Sequence, residues 1–186
     1  MLLDAAKGGG VAIIHKLNIP VKRVPTKKSP SHFELLECNI SASRKNFRLF
    51  VIYRPPPSRA NKFKTSSFFE EWLDFLDYTM GISDDIILTG DLNFHLDDKF
   101  DFDARKFTET LSDRGLVQHF VGATHVRGHT LDVIITREDS SIVMGIPSIE
   151  ELHLCNDKGV PSLDHFAVHC SLNVNKPPKN GVHEIP

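Results

Sequence analysis

Apolar residues gather in short runs along this chain, and Gly, Pro or Ser separates one run from the next. Runs of about four to eight residues that are rich in Ile, Val, Leu and Phe are typical of β-strands. We therefore predict strands at residues 11–14, 33–40, 48–54, 86–88, 118–121, 131–136 and 166–172. Residues 138–160 carry no clear pattern, and we expect a long loop there that contains at most one further strand.

Two segments have the spacing of an amphipathic helix. The first follows Pro55-Pro56-Pro57 and a polar, basic loop that extends to about Lys64. Ser67 and Glu70 predict a capping box at its start, and Gly81 predicts its end. Its expected inward face consists of Phe68, Trp72, Phe75, Leu76 and Thr79.

The second helix is expected from about Asp103 to Arg114, with Phe107 and Leu111 facing inward and Gly115 just past its end. Strands outnumber helices, and the two kinds of element are mixed along the chain. This mixture predicts α/β or α+β layers built around sheets. A length of 186 residues suits one domain, which we place at residues 1–175, with a tail or linker at 176–186.

Composition excludes several classes of protein. A hydrophobic share of 40% with 25% charged residues is globular rather than disordered. No apolar run approaches the roughly twenty residues that cross a bilayer, and no secretory signal is visible after Met1. The three cysteines are far apart and form no CxxC pair, which argues against a zinc ribbon or a disulfide framework. We therefore expect an intracellular, reducing location and no membrane partner.

The net charge of −2 conceals two opposite halves. Residues 1–64 contain 13 Lys and Arg against 3 Asp and Glu, whereas residues 65–186 contain 9 against 21. Such a division is typical of a protein that binds a polyanion on one side and cations on the other. Folding can also intermix the two halves, and the sequence leaves both readings open.

Candidate chemistry begins at Gly90-Asp91-Leu92-Asn93, directly after a buried apolar run. The alternation of a strand sends Asp91 and Asn93 to the same side, where a carboxylate and an amide can hold a water or an oxyanion. A purely structural Asx turn is the competing interpretation. An EF-hand calcium loop is excluded, because Leu96 and Phe102 occupy the positions that need Gly and Glu.

Two further acids lie beside apolar runs. Asp132 opens the run Val133-Ile134-Ile135, and Asp164 with His165 precedes Phe166-Ala167-Val168. Acids at the ends of several strands, with one adjacent imidazole, can hold a hard divalent cation or polarise a phosphoryl oxygen. His125 and His129 are four residues apart, but Gly128 and Thr130 disfavour the helix that a zinc pair at this spacing needs, and we interpret both as turn histidines.

In this order, the motifs resemble the endonuclease/exonuclease/phosphatase superfamily, which includes deoxyribonuclease I and the apurinic/apyrimidinic endonucleases. They are most similar to the endonuclease domain of non-LTR retrotransposon polyproteins. The resemblance covers about residues 8–172 and also includes Gly8-Gly9-Gly10-Val11-Ala12, Phe33-Glu34 and Ile52-Tyr53-Arg54-Pro55-Pro56. It implies a four-layer α/β sandwich of two packed mixed β-sheets flanked by helices.

The resemblance also implies a role for each matched residue. Asp91 corresponds to the acid that activates the attacking water, and Asn93 to the amide that orients this water. Asp164 corresponds to a metal-site carboxylate, and His165 to the imidazole that contacts the scissile phosphate. Asp132 corresponds to the carboxylate that orients this imidazole. The expected cofactor is Mg²⁺, with Mn²⁺ as an alternative, and Tyr53 corresponds to the substrate-binding tyrosine near the phosphate.

The family also has an Asn on its first strand and a metal-binding Glu on a following strand, both upstream of the Gly-rich strand. This sequence has neither residue there, and Leu163 replaces the family's usual Ser or Thr. We therefore expect a domain that lacks its first two strands and shows little or no nicking at millimolar Mg²⁺, because one metal ligand is missing. The expected function is a DNA-nicking, divalent-metal-dependent phosphodiesterase, monomeric and nuclear if it serves a retrotransposon. The alternatives are a catalytically dead remnant that binds nucleic acid and a phosphatase of the same superfamily.

Overall fold

A computed structural model describes residues 10–25, 29–42, 45–159 and 162–174. The described residues form eight strands and two helices. The strands are β1 (Val21–Arg23), β2 (Glu34–Ala42), β3 (Lys45–Tyr53), β4 (Asp85–Asp91), β5 (Leu116–Gln118), β6 (Asp132–Arg137), β7 (Val143–Glu150) and β8 (Ala167–Leu172). The helices are α1 (Thr65–Met80) and α2 (Phe102–Ser112).

Six strands form one mixed sheet in the order β1-β2-β3-β4-β6-β5. Strands β3 and β4 run parallel, and the other neighbours in this sheet are antiparallel. Helix α1 supplies the crossover that a parallel pair needs, because parallel strands cannot be joined by a tight turn. Strands β7 and β8 form a second, antiparallel sheet.

The central strands are buried on both faces, which explains their unbroken apolar runs. Along β4, Ile86 and Leu88 pack beneath the helices, whereas Ile87 points toward the second sheet. Strand β6 follows the same alternation, with Val133 on the helical side and Ile134 on the opposite side. The molecule is therefore layered, with helices, then the six-stranded sheet, then the β7–β8 sheet.

This arrangement confirms the mixed α/β class and the sandwich of two packed sheets. A helical layer covers the outer face of the six-stranded sheet, through the aromatic residues Phe68, Trp72 and Phe107. In the part of the chain that the structure describes, no helix covers the outer face of β7–β8. None of the described helices has the length and apolar character needed to cross a membrane.

The two helices differ in how closely the sequence predicts their starts. Helix α1 begins at Thr65 after Lys64, which makes no side-chain cap, so the capping box expected from Ser67 and Glu70 is wrong. The packing of the aromatic face sets its start instead. Gly81 does end α1, as expected. In α2, the Asp101 side chain accepts a hydrogen bond from the backbone N–H of Ala104, and this cap fixes the start.

Three strand assignments differ from the prediction. The strand expected at residues 118–121 lies earlier, because Leu116–Gln118 is the segment that pairs with β6. Residues 11–14 form no strand, and the Ile14 side chain is fully exposed, because no described strand lies beside this segment to complete its hydrogen bonds. Strand β1 was not predicted, because Val21–Arg23 has three residues and two of them are basic. Strand β7 is the further strand expected within residues 138–160. The tail predicted at 176–186 and the motif residues Gly8 and Gly9 lie outside the described residues.

Candidate active site

Three site residues form a row across neighbouring strands. Tyr53 of β3 is the register partner of Asp91 in β4, and Asp91 is the register partner of Asp132 in β6. Alternation places all three side chains on the face of the sheet that meets β7–β8, opposite to Ile52 and Val133. The row lies at one end of the gap between the two sheets.

Glycine at position 90 makes this row possible. Gly90 has φ +138°, and a Cβ there would lie 1.8 Å from the carbonyl oxygen of Ile52 on β3. Only a residue without a side chain therefore lets β4 approach β3 so closely just before Asp91. The backbone at Gly90 thus contributes to holding the Asp91 carboxylate beside Tyr53.

Asn93 orients the Asp91 carboxylate from the loop that follows β4. Its backbone N–H donates to Asp91 Oδ1 and its side-chain Nδ2 donates to Asp91 Oδ2, both at 2.9 Å. Nδ2 also donates to the carbonyl oxygen of Arg54 at 2.9 Å, so both amide hydrogens are used. Asn93 Oδ1 is the side-chain atom that remains to accept a hydrogen bond from a water.

A buried arginine fixes the same loop from the opposite side. Arg54 is only 4% exposed, and its Nη1 donates to the carbonyl oxygens of Leu92 at 3.0 Å and Asn93 at 3.3 Å. Its guanidinium carbon lies 4.1 Å from the ring centre of Phe94 and 4.9 Å from that of Phe68. Burial lowers the pKa of Arg54, and nearby carboxylates, including Asp91, oppose this shift. Arg54 therefore ties the Asp91–Asn93 loop to helix α1.

His165 comes from the chain that leads into β8 and contacts both acids of the row. Its Nδ1 donates to Asp132 Oδ2 at 3.0 Å, and its Nε2 lies 3.8 Å from Asp91 Oδ2. The hydrogen bond predicted between Asp132 and His165 is therefore present. Because a carboxylate only accepts hydrogen bonds, this contact places a proton on Nδ1 and leaves Nε2 on the side of Asp91.

These contacts shift the pKa values of both groups. The pKa of Asp91 is raised to about 6, chiefly by burial and also by the charge of Asp132, while hydrogen bonds from Asn93 and the charge of His165 oppose the rise. Burial by itself lowers the pKa of His165. The hydrogen bond that His165 donates to Asp132 and the negative charges of Asp132, Asp91 and Asp164 exceed this effect, and the pKa of His165 is raised above its ordinary value. Burial, Asp91 and Glu34 raise the pKa of Tyr53.

Asp164 lies on the outer side of the site and faces His125 as well as His165. Its side chain is 75% exposed, and its Oδ2 lies 3.7 Å from His125 Nε2. His125 pairs with His165 as an isolated β-bridge, and the two rings meet edge to face at 5.1 Å. The backbone N–H of Arg127 donates to His125 Nδ1 at 3.1 Å, so the neutral ring carries its proton on Nε2.

Asp164 is the residue of this cluster that is best suited to hold a divalent cation. Ligand atoms of His125, Asp164 and His165 lie within 4.8 Å of one another. The Asp164 carboxylate is an oxygen ligand suited to Mg²⁺ or Mn²⁺, and imidazole nitrogen suits Mn²⁺ or Zn²⁺ better than Mg²⁺. Because Nε2 of His125 already holds a proton, His125 is better placed as a hydrogen-bond donor than as a ligand.

The structure thus brings Tyr53, Asp91, Asn93, Asp132, Asp164 and His165 to one end of the two sheets. Sequence reasoning missed His125, which it interpreted as a turn histidine; it does precede a turn, but it also faces Asp164. It also missed Arg54 and the buried Thr124, whose Oγ1 accepts the backbone N–H groups of Leu131 and Asp132. No spacing rule signals these contacts, because none of them follows the repeat of a helix or a strand.

No protein-family model matches this sequence, and no curated protein matches it either. Solved structures do match its fold. One is a humanized D. rerio TDP2 carrying 14 mutations, with a TM-score of 0.53, 12% identity, and coverage of 83% of this chain and 64% of that one. Another is D. rerio TDP2 complexed with single strand DNA product, with a TM-score of 0.56, 13% identity, and coverage of 83% and 69%.

A third match is an endonuclease/exonuclease/phosphatase family protein from Leptotrichia buccalis, with a TM-score of 0.50, 13% identity, and coverage of 74% of this chain and 53% of that one. The chain has the endonuclease/exonuclease/phosphatase fold. It spans 64% of the humanized TDP2 and about half of the Leptotrichia protein. At these identities, the likeness concerns the arrangement of strands and helices, and the chemistry must be argued from the site itself.

Proposed function

We propose that this chain is a divalent-metal-dependent phosphodiesterase that cleaves a phosphodiester bond of DNA, in the manner of a retrotransposon-type nicking endonuclease. The observation that carries the proposal is the position of His165, whose two ring nitrogens face Asp132 at 3.0 Å and Asp91 at 3.8 Å. Two acids and an imidazole in this arrangement supply a base for water and a donor for a phosphoryl oxygen. The D. rerio TDP2 complex with single strand DNA product supports a nucleic-acid substrate.

Each residue has a definite part in hydrolysis. Asp91 removes a proton from a water that Asn93 Oδ1 helps to orient, and the water oxygen attacks phosphorus. The bond from phosphorus to the leaving oxygen breaks, and this oxygen takes up a proton from solvent water. His165, protonated and held by Asp132, donates from Nε2 to a phosphoryl oxygen as negative charge grows there.

The remaining residues act on the same phosphate. A divalent cation held by Asp164 would neutralise charge on the phosphoryl oxygens. Tyr53, beside Asp91 in the row, has a raised pKa and stays protonated near neutral pH, so that its hydroxyl can donate to the substrate. A general base works best when its pKa is close to the working pH, and Asp91, at about 6, meets this condition.

Nicking of supercoiled plasmid DNA with millimolar Mn²⁺ or Mg²⁺ tests the proposal. We expect a chelator to abolish nicking, and Asp91→Ala and His165→Ala each to reduce it by about 10²–10⁴-fold. Asp139→Ala is the matched control, because it removes an exposed carboxylate from the turn after β6, at the end of that strand opposite to Asp132. Nicking that survives in Asp91→Ala at the rate of the parent protein would contradict the proposal.

A further inference from the structure

Residues 55–64, which we call the basic loop, begin and end beside the candidate active site. Just before the loop, the backbone N–H of Arg54 donates to the carbonyl oxygen of Asp91 at 2.9 Å. At its end, the carbonyl oxygen of Lys64 accepts the N–H of Phe68 at 3.0 Å, and Phe68 packs against the Arg54 guanidinium. Both ends are therefore fixed to the elements that position Asp91.

The basic loop is itself held in one shape by Asn61. The Asn61 side-chain oxygen accepts the backbone N–H groups of Ser58 at 2.9 Å and Phe63 at 3.0 Å, and its Nδ2 donates to the carbonyl oxygen of Pro56 at 2.9 Å. Pro55-Pro56-Pro57 restricts φ in the first part of the loop. The loop therefore needs little further ordering when it binds a ligand.

The charges of this loop are free for a ligand. Arg59, Lys62 and Lys64 are exposed, and residues 55–64 include no Asp or Glu. None of the three has an ion-pair partner among the described residues, whereas Arg48 pairs with Glu37 elsewhere in the structure. Lys62 has φ +55°, a left-handed conformation that costs a lysine about 1 kcal/mol or more and that functional loops tend to retain.

We propose that the basic loop binds the phosphate backbone of the nucleic-acid strand next to the bond that is cut. The proposal rests on the function proposed above and names the surface that holds the polymer. His165 already donates to the phosphate that reacts. The three cations of the basic loop are therefore available to contact phosphates further along the strand. They also explain how the basic first half of the chain serves the acidic site of the second half, because the loop joins the two.

Salt-dependent binding of a fluorescent oligonucleotide tests this inference, with Asp91→Asn as the background so that no DNA is cut. The loop variant is Arg59→Gln, Lys62→Gln, Lys64→Gln. The matched control is Lys16→Gln, Lys22→Gln, Arg23→Gln, which removes the same charge from exposed positions. Lys22 and Arg23 belong to β1, the edge strand that β2 and β3 separate from β4 and its Asp91.

We expect the loop variant to bind at least tenfold more weakly. Its slope of log affinity against log salt should become shallower by about 2 on single strands and about 2.7 on duplexes, since each phosphate contact contributes about 0.7 or 0.9. The control variant should retain the parent slope. Asn61→Ala keeps the charges but loses the fixed shape, so it should weaken binding with little change of slope.

Equal weakening by the loop and control variants would overturn the inference, because net charge would then explain it. Vesicles of anionic phosphatidylserine provide a second arm. Loop-dependent binding to these vesicles, with none to DNA, would also overturn it. For hydrolysis, the loop substitutions are made in the protein that retains Asp91. This variant should hydrolyse a small chromogenic phosphodiester as fast as the parent, because such a substrate has no further phosphates for the loop to bind. If the parent hydrolyses neither DNA nor the small diester, the proposed function is wrong. The binding measurements still decide, independently, whether the basic loop contacts nucleic acid.

Discussion

Asp91 and Asp132 lie directly opposite each other on the antiparallel strands β4 and β6, and His165 contacts both carboxylates. Two negative charges on paired strand positions repel each other, and an imidazolium between them offsets this repulsion. The protonation of any one of the three groups therefore affects the other two. This coupling is the property of the site that is most directly open to measurement.

Asp132→Asn should lower the pKa of both neighbours. In the parent protein, the Asp132 carboxylate raises the pKa of His165 through a hydrogen bond and raises the pKa of Asp91 through its negative charge. The substitution removes both effects. NMR titration of the His165 ring and the Asp91 carboxyl carbon in the metal-free protein should show both midpoints moving down. An unchanged His165 midpoint would contradict the hydrogen bond seen in the structure.

His165→Gln should have the opposite effect on Asp91. The charge of His165 lowers the pKa of Asp91, so its removal should move the Asp91 midpoint above the value of about 6. Asp97→Asn is a matched control, because Asp97 follows Asp91 in the same loop but pairs with His129 rather than with His165. It should leave the Asp91 midpoint unchanged, and a shift as large as that in His165→Gln would show that the coupling is not local.

Activity should follow a bell-shaped pH profile. Asp91 must be ionised to act as a base, so kcat/KM should fall as the pH drops through about 6. His165 must be protonated to donate, so activity should also fall as the pH rises through its raised pKa, above the ordinary value of about 6.5. Asp132→Asn should move the basic limb to lower pH. Rates measured on a small chromogenic diester test this. A profile without a basic limb would contradict the role of protonated His165 as the donor to the phosphoryl oxygen.

The strand ends and their acids could be predicted from sequence, because apolar runs and the residues that follow them are local features. Asp91, Asp132 and His165 each adjoin such a run, and the structure places them together. The contact of His125 with Asp164 could not be predicted, since it joins two loops through a single β-bridge. Residues 11–14 show the reverse failure, because an apolar run becomes a strand only where another strand lies beside it.

Gly90→Ala should disrupt the site and the fold together. A Cβ at position 90 would lie 1.8 Å from the carbonyl oxygen of Ile52, so strands β3 and β4 would have to separate. We expect the free energy of unfolding to fall by about 3 kcal/mol or more. Gly115→Ala is the matched control, because its φ of +61° is strained but nothing lies within 4 Å. It should cost about 1–2 kcal/mol in urea unfolding. Equal costs would contradict the close approach of the strands.

His125→Phe tests whether the Nε2 group of His125 or only the packing of its ring contributes to the site. The ring volume remains, but the Nε2 donor that faces Asp164 is lost. We expect kcat/KM to fall by about tenfold, as the loss of one polar contact with a charged group predicts, with little change in stability. His125→Gln, which can still donate, should recover part of the rate. If Mn²⁺ affinity falls in His125→Phe and His125→Gln alike, His125 is a metal ligand and the proton assigned to Nε2 is wrong.

Arg54→Lys tests whether the guanidinium or merely a positive charge holds the Asp91–Asn93 loop. A lysine keeps the charge, but it cannot lie flat between Phe94 and Phe68 while donating to the carbonyl oxygens of Leu92 and Asn93. Because the site is buried, the unpaired carbonyls and the poorly solvated ammonium should lower the free energy of unfolding by about 2–3 kcal/mol.

The same substitution should also lower activity, because Asn93 Nδ2 donates to the carbonyl oxygen of Arg54 as well as to Asp91. A displaced Asn93 would leave the carboxylate less well oriented, and we expect kcat to fall by about tenfold with KM little changed. Arg114→Lys is the matched control, since Arg114 pairs with the exposed Asp77 and should cost less than about 0.5 kcal/mol. Urea unfolding and steady-state kinetics measure both effects. If Arg54→Lys proves as mild as Arg114→Lys, charge alone holds the loop, and the stacking of Arg54 on the two rings contributes nothing to the site.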